Sequence, residues 1–373
     1  METSRHEPRN EPWDSVVVGA GQAGLAASYH LARRGVRHVV LDADPAPGGA
    51  WQHRWASLTM ADVHGVHELP EAEAVGLAVP ERDDVEARRA IPAYFAEYER
   101  RHDLPVRRPV RVRRVEDAGG GLLRVRTDGG TGTEELLTRT LVNATGTWNQ
   151  PYVPSYPGAG TFEGLQVHTH DYPGAERFRG LRTVVVGGGA SAVQLLGELA
   201  PVTDTLWVTR RPPVWRTDDF TPEVGRRAVA VVEDRVRRGL PPASVVGVTG
   251  LRLRPQEEHA RRLGAYDRQP MFAEVEPDGV RWADGRREPA QAILWATGFR
   301  PAVRHLAPLG LRSEHGGITL DHHGTTAVRD PRVQLVGYGP SASTIGAHRA
   351  GRFAAAGVVR RLEDVTTQAG QPA

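Results

Sequence analysis

The sequence predicts an α/β fold of two doubly wound, Rossmann-like dinucleotide-binding domains, one inserted in the other. Three observations carry that expectation. Val16-Val17-Val18 leads into Gly19-x-Gly21-x-x-Gly24, then a helical run, then a strand ending at Asp42. Val184-Val185-Val186 leads in the same way into Gly187-x-Gly189-x-x-Ala192, with Ser191 inside the turn, and on to a strand ending at Thr209-Arg210-Arg211. Two further strand-like runs end alike, in Ala144-Thr145-Gly146 and in Ala296-Thr297-Gly298. Each glycine turn suits a tight strand-to-helix corner, a bare backbone beside a pyrophosphate, and a small residue where helix meets strand. The diphosphate then rests on the free N–H groups and positive dipole end of the helix.

The residue closing each second strand separates the two nucleotides. Asp42 is placed to accept hydrogen bonds from a ribose 2′-hydroxyl, as in FAD or NAD. Arg210 and Arg211 stand at the matching point of the second unit, where guanidinium groups suit a 2′-phosphate. FAD is therefore expected at the first turn and NADPH at the second. The competing reading of Arg210 and Arg211 is two surface arginines among many.

The remaining elements follow in order. Residues 1–13 read as a polar tail, and 14–42 as the first strand–turn–helix–strand unit. Gly48-Gly49-x-Trp51 is a turn. A helix is expected over 92–101, with Pro92 at its start and Tyr94, Phe95 and Tyr98 on its apolar face. Alternating stretches at 110–115, 122–127 and 135–142, split by glycine-rich turns, form a small antiparallel meander. A Pro-rich linker covers 151–158. A helix with Val229, Val232 and Val236 on one face is expected within 226–238, as a solvated face, a lid or a dimer contact. Met271 and Phe272 read as core with a possible approach to the cavity. Leu335-Val336-Gly337-Tyr338-Gly339 precedes a long helix over 343–362. The FAD-binding domain is expected over 14–172 and 295–373, and the NADPH-binding domain, inserted in it, over 173–294.

Composition narrows the chemistry. The 373 residues leave room for two domains of ordinary size. No apolar run approaches the ~20 residues needed to cross a bilayer, and the polar start is no secretory signal. A cytoplasmic location is expected, without membrane contact. There is no cysteine, which removes disulfides, thiolate metal sites and any redox dithiol, and no metal site is expected. All 47 of the Lys-plus-Arg residues are arginine, so lysine Schiff-base chemistry is excluded. A net charge of +2 is too small to argue for nucleic acid.

Between the two glycine turns, Phe162-x-Gly164-x-x-x-His168-x-x-x-Tyr172 matches FxGxxxHxxx(Y/F), the fingerprint of class B flavin-dependent monooxygenases. Together with Trp148-Asn149-Gln150-Pro151 and the paired Ala-Thr-Gly endings, the chain resembles the short bacterial flavin-containing monooxygenases from Val16 to its last helix. That resemblance implies FAD, NADPH, dioxygen and a small organic substrate. NADPH reduces the flavin, and oxygen adds to give a C4a-hydroperoxyflavin that passes one oxygen atom to a nitrogen or sulfur nucleophile. Water must be kept out for that adduct to survive. Two alternatives stay open: Baeyer–Villiger oxygenation of a ketone, and an NADPH oxidase or flavin reductase without productive oxygenation. A nucleotide-binding scaffold is the reading from another class, and the intact glycines oppose it.

The resemblance also assigns residues. Gly49 and Trp51 belong to a turn along the flavin, with plain core as the other reading of Trp51. Thr145, Gly146, Thr297, Gly298 and Gly337 are expected at the cofactors. His168 is a candidate catalytic residue at the joint between the domains, or a histidine that orders its loop. Asp62 is the other catalytic candidate, as the holder of a basic partner near the nicotinamide, with a turn cap as its other reading. Relatives place an asparagine in the stretch equivalent to 58–62, and none stands there in this chain. Baeyer–Villiger relatives carry an aspartate at the Asp62 position but end the fingerprint in tryptophan, where this chain has Tyr172. A homodimer is one further expectation.

Overall fold

The computed structural model describes residues 11–63, 66–82, 84–129, 132–216, 222–242, 250–251 and 253–369. Most of the polar tail expected over 1–13 lies outside the described residues, as does Gly130 of the second meander turn. The first strand shows how the core is organised. In β1 (Trp13–Val18) the central Val17 packs into one apolar cluster and Val16 and Val18 into another, so the strand is covered on both faces. Such burial is what a parallel strand under helices requires.

The chain continues through α1 (Gln22–Ala32), β2 (His38–Leu41), α2 (Ala87–Arg101), β3 (Val106–Arg107), β4 (Val110–Gly119), β5 (Leu122–Gly129) and β6 (Gly132–Asn143). These strands lie in the order β3-β2-β1-β6-β5-β4, and β15 (Val333–Leu335) also pairs with β6. The expected meander is therefore no separate unit. Strand β6 pairs antiparallel with β5 over its first half and parallel with β1 and β15 over its second. Its alternating start and its fully buried end, Leu141-Val142-Asn143, match those two environments.

The second sheet takes β7 (Leu165–His168), β8 (Thr183–Val186), β9 (Thr205–Thr209), β10 (Gln269–Pro270) and β14 (Ala292–Trp295) in the all-parallel order β10-β9-β8-β14-β7. Helix α3 (Ala190–Leu199) follows β8, while α4 (Pro222–Arg237) and α5 (Pro255–Arg262) lie between β9 and β10. A three-stranded antiparallel sheet, β11 (Glu274–Glu276), β12 (Gly279–Arg281) and β13 (Arg287–Pro289), precedes β14. The sheet changes earlier than the expected boundary at residue 173. Leu165–His168 joins the second sheet by pairing with β14, and Trp295 is the last residue of β14.

Three elements differ from their expected limits. Helix α2 starts at Ala87, so Pro92 lies inside it, where its ring packs against Gly48. Helix α6 runs Thr344–Ala369, longer than expected, and meets α1 where Gly351 lies against Ala26. Helix α4 buries Val232 and Val236 and leaves Val231 exposed; Val236 joins the core of the first sheet, so this apolar face is covered within the chain. Met271 and Phe272 divide as the two readings allowed: Phe272 is 2% exposed, and Met271 reaches the central cleft.

The fingerprint segment has a packing reason at each fixed position. Phe162 is buried in the core of the second sheet. A Cβ on Gly164 would stand 2.4 Å from the Gln291 carbonyl oxygen and 2.6 Å from the Phe162 ring. We predict that Gly164→Ala, which forces backbone and ring apart, lowers stability by about 1–3 kcal/mol. An unchanged urea midpoint in that variant would show the contact to be slack.

Candidate active site

The two glycine turns open onto one cleft of about 1760 Å³. At the first, Gly19 has φ +100°, and a Cβ there would stand 2.7 Å from the Ala144 carbonyl oxygen. A Cβ on Gly24 would lie 1.9 Å from Gly19 O, which is why helix α1 can sit so close to β1. Gly187 repeats the arrangement, with its added Cβ 2.1 Å from Ala296 O. The middle glycines differ: Gly189 faces open space, and Gly21 meets only the Gly49 Cα at 3.9 Å. Gly21 and Gly189 are also the N-caps of α1 and α3, and neither helix start receives a side-chain cap. Uncapped N–H groups beside a backbone with room in front form an anion cradle. The residues present therefore fit two nucleotide diphosphates.

Every predicted site residue lines this cleft except Gly24, Ala192 and His168. Gly24 and the fully buried Ala192 serve the close packing of helix on strand. His168 is 6% exposed and both its ring nitrogens are engaged with backbone. Nδ1 accepts from the His170 N–H at 3.0 Å, which makes Nε2 the donor to the Gly298 carbonyl at 3.0 Å. Burial holds its pKa below the ordinary value, so the neutral ring is favoured. This geometry matches the loop-ordering reading of His168 rather than the catalytic one, because no ring nitrogen is left to reach the cleft.

The paired Ala-Thr-Gly endings clasp one another. Thr145 Oγ1 donates to Ala302 O at 2.7 Å, and Ala302 N–H donates to Gly146 O at 2.9 Å. Reciprocally, Thr297 Oγ1 donates to Tyr152 O, and Tyr152 N–H donates to Gly298 O at 2.9 Å. The loop after each sheet is thus bonded to the motif ending the other.

Asp42 closes β2 as expected, buried and paired with Arg108 Nε at 3.0 Å. The remaining Arg108 nitrogens hold Glu99 at 2.7 Å each. Burial pushes the Asp42 carboxyl above its usual range, and Arg108 opposes that shift. Arg210 and Arg211 sit exposed at the end of β9, which Arg268 braces from behind by donating to Thr209 Oγ1 at 2.6 Å. Asp62 accepts from Thr59 Oγ1 at 2.8 Å and from Thr59 N–H at 3.2 Å. Its Oδ1 lies 3.6 Å from Arg254 Nη1, and its carbonyl accepts from Gln194 at 2.9 Å. Asp62 thereby ties the segment after Trp51 to α3 and to the residue preceding α5.

Sequence reasoning missed Arg254, Gln194, Glu198 and Arg54. Glu198, on α3, accepts from Trp55 Nε1 at 2.9 Å, Ser57 Oγ at 2.7 Å and Tyr172 OH at 3.3 Å, and burial raises its pKa. Arg54 lies over the Trp148 ring at 4.6 Å and near Trp51 at 5.5 Å, and burial pulls its guanidinium down to about 10. Arg54 Nε and Trp148 Nε1 are both buried without a hydrogen-bond partner among the described residues. Each such orphan donor costs about 1–3 kcal/mol. None of these residues falls in a periodic run or a motif with a fixed role, so their spacing carries no signal. Among the described residues, no group of three His, Cys, Asp or Glu could hold a metal, and no helix is long and apolar enough to cross a membrane.

Two nucleotide cradles sharing one cleft define an oxidoreductase built to bring two cofactors together. Residues 16–241 match the family described as pyridine nucleotide-disulphide oxidoreductase, although this chain has no cysteine for dithiol chemistry. A flavin-containing monooxygenase from Stenotrophomonas maltophilia matches in structure with TM-score 0.79 and 36% identity, over 94% of this chain and 99% of that one. The rice (Oryza sativa subsp. japonica) indole-3-pyruvate monooxygenase YUCCA1 is 31% identical over 81% of each chain. A Baeyer-Villiger monooxygenase from Streptomyces coelicolor is 27% identical over 90% of this chain and 66% of its own length. The chain belongs to the class B flavin-dependent monooxygenase family.

His305 supplies a pH test of the cleft wall. Its Nε2 contacts Asn143 Oδ1 at 2.7 Å, and burial lowers its pKa from 6.5 to about 4. The unfolded chain takes up this proton below about 6.5 and the folded chain does not, so stability falls as pH drops from 6.5 to 4. We predict that His305→Gln removes about 1–3 kcal/mol of that acid-induced loss. Parallel unfolding profiles for variant and wild type between pH 7 and 4.5 would count against it.

Proposed function

We propose that the protein is an NADPH- and FAD-dependent monooxygenase that transfers one oxygen atom to nitrogen or sulfur of a small organic nucleophile. The observation that carries this reading is the pair of uncapped helix N-termini, α1 and α3, opening on one cleft between clasped loops. The body built on the first sheet, residues 14–172 and 295–373 less the strands that join the second sheet, would hold FAD at Gly19, Gly21 and Asp42. The inserted body would hold NADPH at Gly187, Gly189 and Ser191, with Arg210 and Arg211 on the 2′-phosphate. When bound, the flavin supplies reducing power from NADPH and activates dioxygen at its C4a carbon.

The chain's own contribution is placement and exclusion of water. Trp51, Trp148 and Arg54 form a stacked wall along the cleft, and the Thr145 and Thr297 bonds fix the two floor loops. His168 acts as a positioning residue that holds Gly298. Asp62 positions Arg254 at the mouth of α5. That carboxylate–guanidinium pair favours a second reading, Baeyer–Villiger oxygenation of a ketone.

Rapid-mixing absorbance tests the proposal. The protein is reduced anaerobically with NADPH and mixed with oxygenated buffer. A persistent transient distinct from both reduced and oxidised flavin, hastened by amines or sulfides, is expected; one hastened by ketones selects the second reading. Direct return of oxidised flavin with stoichiometric peroxide would establish an oxidase or reductase instead. A second prediction concerns the arginines. Arg210→Ala and Arg211→Ala should each raise the NADPH KM about tenfold, through loss of a charge-assisted hydrogen bond, and leave the NADH KM unchanged. Equal effects on both nucleotides would remove these arginines from 2′-phosphate recognition.

A further inference from the structure

Arg54 stands where two cavities meet. It lines the nucleotide cleft and also a side pocket of about 700 Å³ formed by residues 52–57, 170–176, Arg88 and Glu198. The side pocket takes no residue from either glycine turn. Its other charges are already matched: Asp171 with His170 at 2.6 Å, Glu176 with Arg179 at 2.6 Å, Arg88 with Glu86 at 2.8 Å. Glu198 has its three neutral donors, and His53 faces Asp44 at 3.2 Å. Among the described residues no carboxylate or carbonyl hydrogen-bonds the Arg54 guanidinium, which lies 4.6 Å from the Trp148 ring centre and 5.5 Å from that of Trp51. The Trp148 indole N–H is likewise buried without an acceptor among the described residues.

We propose that Arg54 seats the carboxylate of the substrate, so that this enzyme oxygenates small organic acids whose oxidisable atom lies further along the molecule. The inference rests on the monooxygenase reading for the reaction, and on geometry alone for the anion. A planar guanidinium fork matches a carboxylate with two parallel bonds, and the neighbouring indole faces exclude water that would compete. The cofactor diphosphates have their own seats at α1 and α3, which leaves the Arg54 charge for another ligand. The side pocket then accommodates the part of the acid that does not enter the cleft.

Isothermal titration of the protein loaded with FAD and NADP⁺ tests this without turnover. The probes are acetate, phenylacetate and naphthylacetate, each compared with its own carboxamide. At least one acid is expected to bind about tenfold tighter than its amide, the effect of one hydrogen bond to a charged group. In Arg54→Gln that preference disappears in protein still loaded with FAD and NADP⁺; Arg54→Lys recovers part of it. No acid outbinding its amide in the wild type overturns the proposal. So does an Arg54→Gln protein that loses FAD or NADP⁺ affinity and keeps the acid preference, which assigns Arg54 to a cofactor phosphate. Because binding is read directly, failure of oxygen transfer in the rapid-mixing experiment would leave this result standing.

Discussion

The reciprocal clasp between the two Ala-Thr-Gly endings is the constraint on which the cleft depends. Each threonine hydroxyl and each following glycine carbonyl bonds to the loop that leaves the other sheet. His168 adds a second bond to the Gly298 carbonyl from the fingerprint strand. Hydrogen bonds of this kind contribute about 1 kcal/mol apiece, too little to fold a domain but enough to select one relative orientation of two that are already folded. With that orientation set, the α1 and α3 N-termini open on the same space, and two nucleotides meet instead of lying apart.

A second set of contacts reinforces the same alignment. The segment following Trp51 belongs in sequence to the first unit, yet it is bonded to the second through Trp55 and Ser57 on Glu198, and through Asp62 on Arg254 and Gln194. Tyr172, the last fingerprint residue, joins this set by donating to Glu198. The fingerprint is therefore mechanical: Phe162 and Gly164 pack, His168 holds the clasp, and Tyr172 holds the latch.

Residues with strong local rules were legible. The glycine turns and the valine strands are dictated by backbone sterics and burial, and the structure places them where those rules imply. Limits set by tertiary contact were not. Helix α2 begins at Ala87, ahead of Pro92, whose ring packs on Gly48, and the 165–168 strand joins the second sheet by pairing with β14. His168 reads equally as catalyst or brace until both ring nitrogens are seen to be taken up by backbone. Arg54 gives no signal, since an arginine in an aperiodic run is unremarkable until its neighbours prove to be indoles rather than carboxylates.

By itself the sequence determined that two dinucleotide units exist, which strands and turns build them, and which family they belong to, because strand burial and close glycine contacts act over a few neighbouring residues. The tertiary structure alone decided how the units face one another and which polar side chains are satisfied. Those outcomes depend on pairs such as Thr145 with Ala302, or Trp55 with Glu198, whose members are far apart in the chain. Burial and hydrogen-bond satisfaction are properties of the packed whole, and no local pattern encodes them.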